Sequence, residues 1–221
     1  LRIPHQHGHL EDQREQRTGH NVIAYLPASG ATTGIAKPWV AIGAHYDHLG
    51  RGEAGNTLAD KDDASKVHHG ADDNASGSSA VLAVAAELAK QPHRRHILLG
   101  FWSGEELGLL GSSAFAAASS GSPVPMDQIA AYVNFDMVGR MQDNKLTVQA
   151  AGTSPVWARI LEQANIAAGF DLQVQADPYQ PTDVATFNAA SVASLSLFTG
   201  THADYHKPSD TADKVNAAGA A

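Results

Sequence analysis

The chain reads as one α/β domain spanning 1–221, a three-layer sandwich with a mixed, mostly parallel sheet and helices on both faces. Three observations predict this. Short apolar runs alternate with segments of helical periodicity, as they do when crossovers between strands are helices. The clearest runs are apolar almost without interruption, which suits strands covered on both sides. A chain of 221 residues can bury one sizeable core and is short for two complete ones.

Taken in order, residues 1–20 are polar and His-rich, and His5, His7 and His9 alternate so that they would share one solvated face of a strand. Asn21–Leu26 is the first strand, closed by Pro27. Trp39–Ala44 is a buried strand that ends abruptly at His45-Tyr-Asp-His48. From Leu49 to His69 the chain is polar and lacks periodicity, which predicts a long excursion, and loops of that length carry function. Ser78–Lys90 has apolar residues three to four apart behind an Asp/Asn/Ser cluster, a helix with capping residues at its start. Ile97–Trp102 is a strand ending at Ser103-Gly-Glu-Glu106, Ile129–Phe135 one ending at Asp136, and Ser194–Phe198 one ending at Thr199–His206. Pro155–Gly169 is helix-like and Leu172–Gln175 strand-like. Phe101, Trp102, Trp157 and Phe198 fall inside these runs and are expected in the core.

Composition narrows the chemistry. Fifteen basic against twenty-three acidic residues leave a formal charge of -8, which argues against a nucleic-acid partner or an anionic membrane surface. No apolar run approaches the ~18 residues of a membrane span. With no cysteine, disulfides and thiolate metal sites are excluded, so any metal must sit on His, Asp and Glu.

Four apolar strands each finish at a cluster of such residues, and the Asp72-Asp73 pair lies on the loop after His45. Convergence at one sheet edge is the simplest geometric consequence. Nitrogen and carboxylate donors suit Zn²⁺, with Mn²⁺ or Co²⁺ as substitutes. Glu105 and Glu106 cannot share one role, because neighbouring side chains of an extended segment point apart.

Gly43-Ala-His-Tyr-Asp-His48, Gly70-Ala-Asp-Asp-Asn-Ala-Ser-Gly77, Ser103-Gly-Glu-Glu-Leu-Gly108, Asn134-Phe-Asp-Met-Val-Gly139 and Tyr205-His-Lys-Pro-Ser-Asp-Thr211 occur in an order and spelling that resemble the M28 metallopeptidases. The resemblance covers about 21–215 and implies the zinc-exopeptidase, phosphorylase/hydrolase-like fold. It implies two Zn²⁺ per chain, one held by His45 and Asp136 and the other by Glu106 and His206, with Asp73 bridging. It selects Asp73 over Asp72, because the bridging aspartate directly precedes Asn-Ala-Ser-Gly, and it implies a cis peptide at Asp73-Asn74. Glu105 becomes the general base, Asp47 the acceptor of a hydrogen bond from the His45 ring, and Tyr205 a donor to the developing oxyanion. His68, His69 and His202 are expected to support the site without ligating.

The activity implied is removal of the N-terminal residue from peptides with a free amine, by a secreted or periplasmic enzyme. Asp183 aligns with a segment beside the family's pocket, though a surface loop would read the same. Rival readings are a carboxypeptidase or dipeptidase on the same centre, a single-zinc glutaminyl cyclase, and a non-catalytic relative. A carboxypeptidase needs a basic clamp for the substrate carboxylate, and Arg140 is the candidate. Oligomeric state is left open. The chain stops at Val215–Ala221 where the family would continue into a closing helix, so a piece of a larger protein is expected.

Overall fold

A computed structural model describes residues 18–118 and 124–220. His5, His7 and His9 lie outside these described residues.

Seven strands form one sheet: β1 Val22–Leu26, β2 Trp39–His45, β3 His96–Trp102, β4 Ile129–Phe135, β5 Lys145–Gln149, β6 Asp171–Val174 and β7 Ala193–Phe198. Their order across the sheet is β1-β3-β2-β4-β7-β5-β6. The block β3-β2-β4-β7 is parallel throughout, while β1 runs antiparallel to β3 and β5 antiparallel to β7. The sheet is therefore mixed with a parallel centre, as the sequence predicts. A parallel block brings the C-terminal ends of its strands to one edge, and these are the strands that finish at His, Asp and Glu.

Alternation within the strands divides the core between two faces. Ile42, Ala44, Ile97 and Leu99 pack with Val81, Val84 and Leu88 of α1 (Gly77–Leu88). On the other face Ala41, Leu98, Trp102 and Tyr132 pack with Phe115 of α2 (Leu110–Ala117) and Phe187 of α4 (Val184–Ala189). Trp157 and Leu161 of α3 (Trp157–Ala168) cover Val148 and Leu195 near the far edge. A short α5 (Ala217–Ala220) follows the last turns. Trp102 and Trp157 are buried as expected, whereas Phe101 and Phe198 are half-buried.

Gly43 in the middle of β2 shows why this strand must lack a side chain there. A Cβ would lie 2.8 Å from Trp102 Nε1 and 2.9 Å from the Tyr132 hydroxyl. The space it leaves lets Trp102 Nε1 donate to Tyr132 at 2.9 Å, and Tyr132 to Asn134 Oδ1 at 2.6 Å. A buried indole and phenol are thereby satisfied beneath the ligand-bearing strand ends.

Candidate metal centre

Each strand of the parallel block delivers its polar residues at the same edge. His45 closes β2, Glu105 and Glu106 follow β3, Asp136 follows β4, and the loop after β7 carries Tyr205 and His206. Asp73 comes from the kinked turn Ala71–Ser76, whose Asp73-Asn74 peptide is cis. Asn74 locks this turn in place. Its amide donates to Phe135 O at 2.9 Å, and its Oδ1 accepts the Gly77 N–H at 3.0 Å, capping α1. The cap expected from the Asp/Asn/Ser cluster is therefore Asn74, while the Ser76 hydroxyl turns back to Asp72.

The five donors come together in two groups that share one carboxylate. His45 Nε2 lies 3.3 Å from Asp73 Oδ1 and 3.4 Å from Asp136 Oδ1. His206 Nε2 lies 3.3 Å from Asp73 Oδ2 and 3.1 Å from Glu106 Oε2. Donors about 2.0–2.1 Å from a tetrahedral ion sit about 3.3–3.4 Å from each other. The donor spacing thus fits a zinc-sized cation in each group. Ring tautomers fit as well: His45 Nδ1 donates to Asp47 O at 3.1 Å and His206 Nδ1 to Asn56 O at 2.9 Å. Both Nε2 lone pairs are left facing the carboxylates, the arrangement that metal-binding histidines need.

Electrostatics agree with the geometry. Burial alone would lower the pKa of His206, but Asp73 and Glu106 outweigh it and raise the ring to about 10. His45 is likewise raised well above its ordinary value despite burial, chiefly by Asp136. Burial works to raise Asp73, yet His206 and His45 hold it well below the usual carboxylate range. So many carboxylates around two rings make a trap for positive charge, which protons fill when no metal does. Glu105 takes no part in these pairings. Burial, with Asp136, Asp183 and Glu106 adding to it against the pull of His45, pushes its carboxyl up to about 9.

Of the other side chains singled out in the sequence, some keep their expected places and others depart from them. The Asp47 carboxylate lies 3.7 Å from His45 Nδ1, farther than Asp47's own carbonyl. Its shorter bonds accept the amides of Glu105 at 3.1 Å and Glu106 at 3.3 Å, so it orients the glutamate pair as much as the ring. Tyr205 stacks on the His206 ring with centroids 3.9 Å apart. His68 and His202 support loops: His68 accepts from Thr57 Oγ1 at 2.7 Å, and His202 Nε2 donates to Asp72 at 3.0 Å. His69 is exposed. Arg140 is no free clamp, because its Nη2 is bonded to Asp210 at 2.9 Å and Asp204 at 3.3 Å. Asp183 lies on neither a surface loop nor an open pocket wall. It is fully buried at the start of α4, and neither carboxyl oxygen has a hydrogen-bond partner. Ser112 is near, but its hydroxyl engages Thr186 at 3.0 Å, and burial pushes Asp183 up to about 7.

One participant carried no sequence signal beyond its place in His45-Tyr-Asp-His48. His48 Nδ1 donates to Glu106 Oε1 at 2.9 Å, bonding the carboxylate oxygen not turned toward His206.

The family model described as Peptidase family M28 matches residues 21–221. The chain belongs to peptidase family M28. This M28 chain is 28% identical over 200 residues to leupeptin-inactivating enzyme 1 of Streptomyces exfoliatus, covering 89% of the chain and 39% of that protein. Leucine aminopeptidase 2 of Trichophyton rubrum is 25% identical over 230 residues, covering 91% of the chain and 42% of that protein. Among solved structures, the zinc aminopeptidase BSAP of Bacillus subtilis superposes with a TM-score of 0.69 at 25% identity, over 90% of this chain and 46% of that one. The chain thus spans less than half the length of these relatives.

Proposed function

We propose that this M28 chain is the catalytic part of an aminopeptidase that binds two Zn²⁺, with Mn²⁺ or Co²⁺ as substitutes, and hydrolyses the N-terminal bond of peptides. The observation that carries the reading is the division of the Asp73 carboxylate, one oxygen 3.3 Å from His45 and the other 3.3 Å from His206. A single carboxylate facing two separate donor groups is the geometry of a bridging ligand. His45 and Asp136 would complete one site, and Glu106 and His206 the other. Bound zinc supplies Lewis acidity toward the peptide carbonyl and lowers the pKa of water at the site.

Glu105 is the group placed to move protons. Its carboxyl is unpaired among the donors, and the amide hydrogen bonds from Glu105 and Glu106 to Asp47 fix its backbone. As a base it takes a proton from the attacking water, and as an acid it returns one to the leaving amine. The Tyr205 phenol, set by its stack on His206, donates to the oxyanion that develops on the carbonyl. The surplus of carboxylates also suits a substrate ammonium, which needs anionic partners at the same end of the cleft as the scissile bond. The commitment of Arg140 to Asp204 and Asp210 counts against the carboxypeptidase alternative. An extracytoplasmic location rests on the family resemblance alone. No helix among the described residues is long and apolar enough to cross a membrane.

The test is a panel of aminoacyl-nitroanilides with N-acetylated counterparts, each assayed with and without chelator. Cleavage confined to free amines, lost on chelation and restored by Zn²⁺, is the expected result. Equal cleavage of blocked and free substrates would overturn the aminopeptidase reading.

A further inference from the structure

The turn that carries Asp73 begins with three consecutive amides, and all three end on Asp210. Ala71 N donates to the Asp210 carbonyl at 3.2 Å, while Asp72 N and Asp73 N donate to Asp210 Oδ2 at 2.8 and 3.1 Å. Asp210 is fully buried, and its other oxygen accepts Arg140 Nη2 at 2.9 Å. Pairing and hydrogen bonding offset the cost of burying a carboxylate, and this one has both. Asp210 approaches the turn from its backbone side, so its bonds act on the chain that holds Asp73.

The placement of these residues in the chain gives the contact its meaning. Asp210 lies on the segment that follows His206, and Arg140 on the segment that follows Asp136. The Asp210 carboxylate therefore ties together the three segments bearing Asp73, Asp136 and His206. The opposite side of the turn is held through Asp72, whose Oδ1 accepts Gly139 N at 2.6 Å and whose Oδ2 accepts His202 at 3.0 Å. Pinned from both sides, the 72–73 backbone has little freedom to rotate the Asp73 carboxylate out of its place between the two histidines.

We propose that Asp210, held by Arg140, is a positioning residue for the bridging carboxylate and sets the affinity of the chain for both divalent cations. The proposal rests on the two-metal reading above. Outer partners of metal ligands typically contribute about 10–100-fold in affinity. Because Asp73 serves both cations, the loss should fall on both.

The experiment measures Zn²⁺ affinity of the full chain by competition with a chelating indicator, alongside the melting temperature of the metal-free protein. Asp210→Asn keeps the shape but removes the charge and sets an amide against the Arg140 guanidinium. Its Zn²⁺ affinity should fall about 10–100-fold at both sites. Arg140→Lys, which retains a cation without the planar fork, should show a smaller loss in the same direction and serves if Asp210→Asn does not fold. Thr153→Val is the control for stability alone. Its hydroxyl bonds Ala150 and Ser194 near the start of β7, away from the ligand-bearing edge, so its loss should lower melting without moving Zn²⁺ affinity. Wild type binding two Zn²⁺ and both site variants matching its affinity would overturn the proposal and leave the metal reading standing. Wild type binding no Zn²⁺ would overturn both.

Discussion

At the level of single residues, the neighbouring glutamates differ in what they touch. Glu106 lies against His206 and His48, while Glu105 lies free of those contacts in a partly buried place that disfavours its charge. Glu105→Gln should therefore lower kcat by about 10²–10⁴-fold, the range for a lost general base, while metal analysis still finds the wild-type Zn²⁺ content. Loss of one zinc instead would mean that the two glutamates have exchanged roles. Asp183 gives a prediction of opposite sign. Its folded pKa of about 7 lies above the value of an unfolded aspartate, so the folded state holds the extra proton. The contribution of Asp183 to stability is then greatest below about pH 4 and falls as pH rises to 7, by about 4 kcal/mol for a shift of about three units. Metal-free Asp183→Asn should melt higher than wild type at pH 8, and the difference should vanish near pH 4 in calorimetry across that range. The five proposed metal donors were legible in the sequence because each ends an apolar run or sits in a distinctive short motif. Asp183 and Asp210 were not, since burial of a carboxylate depends on what distant segments lay over it.

Among the elements, the kinked turn and the helix behind it depend on close backbone approach. A Cβ at Gly77 would stand 2.2 Å from Asn74 Oδ1 and 2.4 Å from Phe135 O, so the turn and the end of β4 would have to separate. Gly77→Ala should cost about 2–4 kcal/mol, at the high end for point substitutions, and lower Zn²⁺ content as well. Urea denaturation with metal analysis checks both. The buried strands β2, β3, β4 and β7 and helices α1 and α3 could be read from the sequence to within a few residues, because their apolar patterns are long and uniform. Others could not. Lys145–Gln149 mixes polar and apolar residues as it pairs with two neighbours toward the sheet's edge, Leu110–Ala117 is diluted by Gly, Ser and Ala, and Val184–Ala189 is only six residues long. Such segments take their conformation from the sheet they pack against and not from their own periodicity.

For the molecule as a whole, metal and fold should be thermodynamically linked, because the cradle joins segments from every part of the sheet's parallel block. With Zn²⁺ at about 1,000 times its Kd, one ion adds about 4 kcal/mol to the native state. Two ions then contribute about 8 kcal/mol, and at about 2–4 °C per kcal/mol for a chain of this size chelation should lower Tm by about 16–32 °C, which differential scanning calorimetry with and without chelator reads directly. The overall architecture was legible in the alternation of apolar runs with helical segments, while the seventh strand, Lys145–Gln149, and the strand order awaited the structure. That order carries a consequence for biogenesis. His45 and His206 reach the two oxygens of one carboxylate, yet they stand near opposite ends of the described chain. Contacts so distant in sequence form late, after the intervening loop entropy has been overcome. A polypeptide emerging from the ribosome displays His45 and Glu106 long before β7 and the loop beyond it exist. During that interval no stretch of the nascent chain holds the whole donor set, so the order of synthesis itself withholds the proposed metal centre until the distant segments have met at the sheet edge.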